Sequence, residues 1–393
     1  ALSVCLSLVV GTSVLLSEDA FAKEHSDSMF EPRAGQTEVI AHRGASAYAP
    51  EHTLIAYKKA IQMKADYVEF DLQMTKDGEL VALHDTTLAR TTNVEEMFPN
   101  RAPWSVKDFT LAEIKQLDAG SWFNEEHPEL ARKEYVGQTV PTLEEAIDLV
   151  KNFAGFKPDV YIETKAPNVY PGMEEKLIEI LNEKGLIQEG RVILQSFIEE
   201  SLKILDQMVP ENVPLIQLIS PSMIDEERME TVLDEVDHYA DGVGPDKRLV
   251  TPIFMEEAQQ RGLIVHPYTV NEVDEMIRLL SFGGDGMFTN YSDRLYELLT
   301  KPYILLGTTV EELTPTSVVF STKASKEANV KIEVAADESF REKQVKTVRA
   351  IEKNDFAVQA TFDNLEPNTT YFYIVQALPG KHTVSGQFQT GAI

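Results

Sequence analysis

From residue 39 to about residue 290, short runs of β-branched and aliphatic residues alternate with longer amphipathic stretches. That alternation is how parallel βα units read, because a strand covered on both faces has no polar face to show, while the helix between two strands keeps one. The runs predict eight strands, over 39–43, 67–72, 159–164, 191–196, 214–219, 241–244, 263–268 and 286–289. Helix signals lie between them. Thr53 stands as an N-cap ahead of Leu54, Tyr57, Ala60 and Ile61, and Thr142 with Glu145 forms a capping box before Ala146, Ile147 and Val150. Eight such units predict an α/β fold, a (β/α)8 TIM barrel, whose chemistry sits at the C-terminal ends of the strands.

After Lys301-Pro302 the helical periodicity stops. Strand-like runs follow at Ser317–Ser321, Val330–Val334, Phe356–Phe362, Thr370–Ala377 and Ser385–Thr390. The stretch Leu365-Glu366-Pro367-Asn368-Thr369-Thr370-Tyr371, followed by Tyr373, Val375 and Ala377, is similar to the tyrosine-corner region of a fibronectin type III-like sandwich. Residues 303–393 are therefore expected to form a small all-β sandwich behind a barrel spanning 38–300, serving as a spacer or a cell-wall contact and carrying no chemistry of its own. At the other end, the apolar run Leu2–Leu16 is short for a bilayer span and is followed by Ala20-Phe21-Ala22, the small-x-small pattern of a signal-peptide cleavage site. The expectation is a signal peptide over 1–22, a mature start at Lys23 and a secreted or cell-wall-associated protein; Val4 before Cys5 weakens the competing lipoprotein reading. Cys5 is the one cysteine in the chain, so no disulfide framework is expected.

The formal net charge of −28 argues against nucleic acid or an anionic membrane as a partner, since both repel an acidic surface unless a metal or a local basic pocket intervenes. Such a pocket is what the strand ends spell out. In Tyr67-Val68-Glu69-Phe70-Asp71-Leu72, Glu69 and Asp71 leave one face of the strand while Val68, Phe70 and Leu72 leave the other. Two carboxylates facing a barrel interior repel each other and lose solvation, which costs several kcal/mol per unpaired ion unless a cation holds them. The spacing recurs at Glu163 and Lys165 around Thr164, adding a third oxygen ligand and a cation. All-oxygen ligation suits one divalent calcium or magnesium ion better than zinc, and calcium is placed ahead of magnesium.

Two histidines complete the set. His42 ends the first strand after apolar Ile40-Ala41, which delivers it to the barrel mouth. His84 closes a run that turns back from the acidic strand through Thr75-Lys76-Asp77-Gly78; pairing 74 with 80 puts 72 opposite 82 and 70 opposite 84. The return strand is expected to protrude above the mouth and not to become a ninth barrel strand. An imidazole titrates near pH 6.5, so one can take a proton from a nucleophile and the other can give one to a leaving alkoxide. With Arg43 and Lys165 for the anion, these are parts for phosphodiester cleavage.

Those residues resemble the glycerophosphodiester phosphodiesterase family over roughly 38–298. The matching stretches are Ala41-His42-Arg43-Gly44-Ala45-Ser46, Pro50-Glu51-His52-Thr53, Val68-Glu69-Phe70-Asp71, Thr75-Lys76-Asp77-Gly78, His84-Asp85, Leu88, and Arg90-Thr91-Thr92. They continue in order through Leu117–Phe123, Val140–Glu145, Ile162-Glu163-Thr164-Lys165, Gln195-Ser196-Phe197 and Tyr268-Thr269-Val270-Asn271. The resemblance implies a phosphodiesterase barrel with His42 and His84 as the catalytic acid and base, Glu69, Asp71 and Glu163 on the metal, and Arg43 and Lys165 on phosphate. It leaves open whether water or the substrate's own glycerol hydroxyl attacks. Two positions depart from the family: His52 stands where asparagine is usual and Tyr268 where tryptophan is usual. His52 is read as part of the helix start before Thr53, ahead of the alternative that it is a third titrating group near the site, and Tyr268 as a wall of the substrate site. Expected substrates are small glycerophosphodiesters released as sn-glycerol 3-phosphate and an alcohol. The alternatives are exo-hydrolysis of a polyglycerol-phosphate wall polymer, or a catalytically idle surface-binding protein.

Overall fold

A computed structural model describes residues 37–225, 227–305 and 307–392. The predicted signal peptide therefore lies outside the described residues. The first part of the chain forms strands β1 (Glu38–Ala41), β2 (Tyr67–Met74), β3 (Leu80–Ala82), β4 (Asp159–Thr164), β5 (Val192–Ser196), β6 (Leu215–Ile219), β7 (Gly242–Pro245), β8 (Ile264–Val265) and β9 (Gly286–Thr289). All but β3 run parallel, side by side in the order β8-β7-β6-β5-β4-β2-β1-β9. Between the two ends of that path, the Val270 N–H donates to the Phe288 carbonyl at 2.8 Å and the Phe288 N–H to the Pro267 carbonyl at 3.0 Å, which draws the sheet into a nearly closed barrel.

The strands fall where the apolar runs predict them, with one shortened. β8 stops at Val265 because Pro267 has no N–H to continue the ladder, although Tyr268 still donates to the Pro245 carbonyl at 3.0 Å. Among the named strands, the return strand β3 pairs with β2, in the predicted register of Leu72 with Ala82 and Met74 with Leu80.

Inward-facing side chains are stacked by polarity along the barrel axis. Ile40, Tyr67, Tyr161, Ile193, Ile216, Ile264 and Phe288 close the interior as one buried apolar layer. Each such side chain, fully buried, contributes roughly 1.5–3 kcal/mol. Counting two residues onward from this layer along each strand gives His42, Glu69, Glu163, Gln195, Leu218, His266 and Asn290, because strand side chains alternate faces. On β1, β2, β4 and β9 that step lands at the C-terminal mouth. The outward residues Val68, Phe70 and Leu72 of β2 pack instead under the helices.

Helix ends follow the predicted caps. The Thr53 hydroxyl accepts from the Ala56 N–H at the start of Leu54–Gln62, and Thr142 and Glu145 cap Leu143–Asn152 reciprocally, burying Leu143, Ala146, Ile147 and Val150. No helix among the described residues is long and apolar enough to cross a membrane.

The C-terminal part carries β10 (Thr309–Glu311), β11 (Ser317–Lys323), β12 (Ala328–Ala335), β13 (Lys343–Ala350), β14 (Ala357–Asp363), β15 (Thr370–Leu378) and β16 (Thr383–Gln389). They form two antiparallel sheets, β10-β11-β14 and β13-β12-β15-β16, around a core that includes Val318, Phe320, Ile332, Phe362, Val375 and Phe388. The Tyr371 hydroxyl accepts from the Glu366 N–H at 2.9 Å, the backward bond expected at the corner. Two strands, β10 and β13, are not foreshadowed by apolar runs. Both lie at sheet edges, and β13 is largely exposed with Lys343, Lys346 and Arg349 along it, which is how edge strands resist pairing with another chain.

Candidate active site

The turn after β1 sets the first half of the site. The His42 N–H donates to the Thr289 carbonyl at 3.0 Å, keeping the strand pairing one residue past Ala41. Arg43 and Gly44 then both take positive φ, 59° and 84°. At Gly44 a Cβ would meet the Ala56 backbone at 2.8 Å, so the tight return of the chain needs glycine there. This reversal aims the Arg43 N–H at Glu69 Oε2, 2.7 Å away, and lays its guanidinium between Glu51 Oε1 at 3.1 Å and Asp71 Oδ2 at 3.4 Å.

A cavity of about 240 Å³ opens over the apolar layer, lined by His42, Arg43, Glu69, Asp71, His84, Glu163, Lys165 and Tyr268 together with Gln195, Phe197, Leu218, Thr269 and Phe288. All eight residues singled out in the sequence thus share one pocket. Lys165 Nζ lies 3.0 Å from Glu163 Oε1 and 5.4 Å from the centre of the Phe197 ring. Tyr268 stands edge-on to Phe197 and donates its hydroxyl to the Ile219 carbonyl at 3.0 Å, so it offers the pocket a ring face and not a free hydroxyl.

The histidines have different partners. His42 Nδ1 is 2.8 Å from Asn290 Oδ1, and His84 Nδ1 is 2.6 Å from Asp85 Oδ1. Burial, reinforced by the Arg43 guanidinium, pushes the His42 imidazole down to about 3, so it is neutral at physiological pH. Burial also lowers His84, against the pull of Asp71 and Asp85 in the other direction.

The three carboxyls titrate apart. Burial raises Glu69 well above the usual carboxylate range, with Asp71 and Glu163 adding repulsion, and Glu163 is raised by burial and by Asp71. Asp71 goes the other way: burial alone would raise it, but Lys165, His52 and Arg43 outweigh that and hold it well below. Buried oxygen donors that resist ionising together fit a hard divalent cation, which would relieve the repulsion.

His52 requires a correction. It does precede the helix cap, but its side chain is buried against the acidic strand, behind the pocket lining. There Nε2 lies 2.8 Å from Asp71 Oδ2, and His52, Glu69 and Asp71 come close enough to form a candidate metal cluster. The signal was conformational: His52 has φ 52°, a left-handed backbone that histidine and asparagine adopt more readily than most residues and that swings the side chain away from the helix.

Gln195, Leu218, Phe288 and Asn290 were also missed, although the parity of the inward positions marks them. Arg90 was matched only as part of Arg90-Thr91-Thr92, with no role assigned. It donates to both oxygens of Glu51, at 2.7 and 3.0 Å, and to both of Asp85, at 2.7 and 3.1 Å, binding two loops from outside the pocket.

A barrel with two histidines and buried carboxylates lining one pocket at its mouth is the arrangement expected of a phosphodiesterase. The family described as glycerophosphoryl diester phosphodiesterase matches residues 42–294, and the one described as the N-terminal domain of PhoD-like phosphatases matches residues 297–392. A glycerophosphodiester phosphodiesterase of Bacillus subtilis (strain 168) is 48% identical over 67% of this chain and 86% of its own length; one from Caldanaerobacter subterraneus is 37% identical over 68% and 99%. The crystal structure of a putative glycerophosphoryl diester phosphodiesterase from Silicibacter pomeroyi, 27% identical, superposes with a TM-score of 0.59 over 67% of this chain and 93% of that one. The chain belongs to the glycerophosphoryl diester phosphodiesterase family. It is a glycerophosphodiester phosphodiesterase whose closing β domain is of the PhoD N-terminal type.

Proposed function

We propose that this pocket hydrolyses small glycerophosphodiesters to sn-glycerol 3-phosphate and an alcohol, with His42 as general base and His84 as general acid. The observation that carries the assignment is the partner of each imidazole. A neutral amide faces Nδ1 of His42, whereas a carboxylate faces Nδ1 of His84. A carboxylate stabilises an imidazolium and an amide does so far less, so His84 suits holding a proton and His42 suits taking one. As the nucleophile's oxygen bonds to phosphorus, its proton passes to His42 Nε2. The bond from phosphorus to the alcohol oxygen breaks, and that oxygen takes the proton from His84 Nε2. Arg43 and Lys165 hold the phosphate oxygens, and the rings of Phe197 and Tyr268 wall the organic group. A divalent cation on Glu69, Asp71 and Glu163, calcium before magnesium for an all-oxygen donor set, would neutralise charge on the phosphate.

The test is a panel of glycerophosphocholine and glycerophosphoethanolamine assayed with chelator, then with calcium or magnesium restored. Release of glycerol 3-phosphate should depend on the cation, and His42→Ala and His84→Ala should each lower turnover by about 10²- to 10⁴-fold. Activity that survives chelation and both substitutions overturns the reading.

A second reading, exo-hydrolysis of a polyglycerol-phosphate wall polymer, is favoured by the shape of the cavity: its floor is closed by the apolar layer, which suits a chain end better than a chain interior. A polymer with blocked ends should then resist. An export setting goes with either substrate and rests on the apolar run before Ala20-Phe21-Ala22; a reporter fused behind residue 22 and left inside the cell would contradict it.

A further inference from the structure

His52, Glu69 and Asp71 are near enough to pass for three ligands of one ion, with donor atoms within 4.8 Å of one another. The hydrogen bonds around His52 separate them. Nε2 of His52 faces Asp71 Oδ2 at 2.8 Å, and Nδ1 faces the Tyr57 hydroxyl at 2.9 Å. Tyr57 is completely buried, beneath Phe70 and edge-on to the imidazole. Among the described residues, Nδ1 of His52 is the acceptor within hydrogen-bond distance of that hydroxyl. A buried O–H left without an acceptor is costly, so the tyrosine proton goes to Nδ1. The imidazole then carries its own proton on Nε2, and that proton points at a carboxylate oxygen. A nitrogen bearing a proton has no lone pair for a cation.

We propose that His52 is a positioning residue and not a metal ligand. Tyr57 donates to His52 and His52 donates to Asp71, in a buried relay that fixes the Asp71 carboxylate and occupies its Oδ2. Arg43 Nε, 3.4 Å away, lies on the same oxygen, so Oδ1 is the one left for a cation. The ligand set is then oxygen only, from Glu69, Asp71 and Glu163. The backbone supports the arrangement: the His52 N–H donates to the Arg43 carbonyl at 3.1 Å, which ties the left-handed turn bearing the imidazole to the turn after β1. This inference rests on the reading of the carboxylate cluster as a divalent-cation site.

The test uses the full chain and three variants, Tyr57→Phe, His52→Asn and His52→Leu. Asparagine keeps an N–H donor for Asp71; leucine removes it. Imidazole ¹⁵N chemical shifts, with His52 assigned by difference against His52→Asn, should show a protonated Nε2 and a pyridine-type Nδ1 both before and after calcium is added. Calorimetric titration should show calcium bound about 10- to 100-fold more weakly by His52→Leu, in line with the loss of an outer-sphere partner, with Tyr57→Phe between it and the wild type and His52→Asn close to the wild type. Manganese bound in place of calcium should show no nitrogen coupling from the site by electron spin echo spectroscopy. A nitrogen coupling that disappears in His52→Asn makes His52 a ligand and overturns the proposal. Unchanged calcium affinity in both Tyr57→Phe and His52→Leu overturns the positioning role. A wild-type chain that binds neither calcium nor manganese defeats the cation reading itself, while the shifts still report whether the relay exists. Should His52→Leu fail to fold, Tyr57→Phe and the shifts decide.

Discussion

Replacing His84 and replacing His42 should not cost the same on every substrate. An acid is needed only when the leaving oxygen is basic, so the loss in His84→Ala should shrink on a nitrophenyl phosphodiester, whose leaving group departs without a proton. The loss in His42→Ala should persist there. A Brønsted plot of rate against leaving-group pKa for the two variants checks this, and equal slopes would reject the assignment. A third histidine bears on stability. His266 sits 1% exposed in the interior, its Nδ1 3.0 Å from the Tyr161 hydroxyl, and burial lowers it from 6.5 to about 3. Gly286 makes room for it, since a Cβ there would meet the ring at 2.8 Å. The sign of the pH effect follows directly. The unfolded chain takes up a proton here below about pH 6.5, but the folded chain does so only near 3, so His266 favours folding above 6.5 and loses that contribution as pH falls toward 3. The cost should reach on the order of a few kcal/mol. Urea unfolding of wild type and His266→Gln at pH 7 and pH 5 should therefore show the gap between them narrowing, or reversing, at the lower pH.

At the scale of elements, the site depends on loops that the strands only deliver to the right level. β3 brings the chain back beside β2, but what turns His84 to the pocket is Asp85, and Asp85 is held by Arg90 together with Glu51 from the loop after β1. Arg90 touches nothing that reacts, and its side chain is 42% exposed, so Arg90→Met should change stability by less than about 1 kcal/mol. Turnover should fall much further, since slight misplacement of a reacting group can cost about 10²-fold. Lysine should rescue little, because one ammonium cannot replace a fork that meets two carboxylates. Paired melting curves and kinetics distinguish this from plain unfolding. The element scale is also where sequence patterns served best. The register of the hairpin and the strand Asp159–Thr164 follow from alternation and turn chemistry alone. The edge strand β13 did not show itself, because an edge that must avoid pairing carries charges where an apolar run would be sought.

For the whole molecule, the barrel and the β domain have separate cores, joined where Tyr303 packs on the barrel side and Ile304 enters the domain's core. Polar ties cross nearby: Tyr303 N–H to Ser325 Oγ at 3.1 Å, Lys326 Nζ to the Leu299 carbonyl at 3.2 Å, and Lys381 N–H to Glu297 Oε1 at 3.2 Å. The pocket lies at the barrel mouth and draws no lining residue from the β domain. A chain ending at Lys301 should consequently keep its turnover of small glycerophosphodiesters and lose only melting temperature; a folded truncation without activity would contradict this. The net charge of −28 gives a further expectation. An acidic surface repels a polyanion and salt screens that repulsion, so KM on a polyglycerol-phosphate polymer should fall as ionic strength rises, while KM on a singly charged small diester should move much less.

Alternation along the chain was enough to determined which residues face the barrel interior, because the two-residue period of a strand leaves no choice once its apolar side must be covered. That is why Glu69, Asp71, Glu163 and Lys165, and with them the acidic character of the site, were legible at the start. What sequence order could not convey is which loop side chain meets which strand end. His52 on Asp71, Asn290 on His42 and Arg90 across Glu51 and Asp85 join residues between 5 and 248 positions apart, through turns whose left-handed backbones leave only a faint trace in residue choice. Tertiary structure decided those pairings, and the proposed roles of acid, base and metal support rest on them.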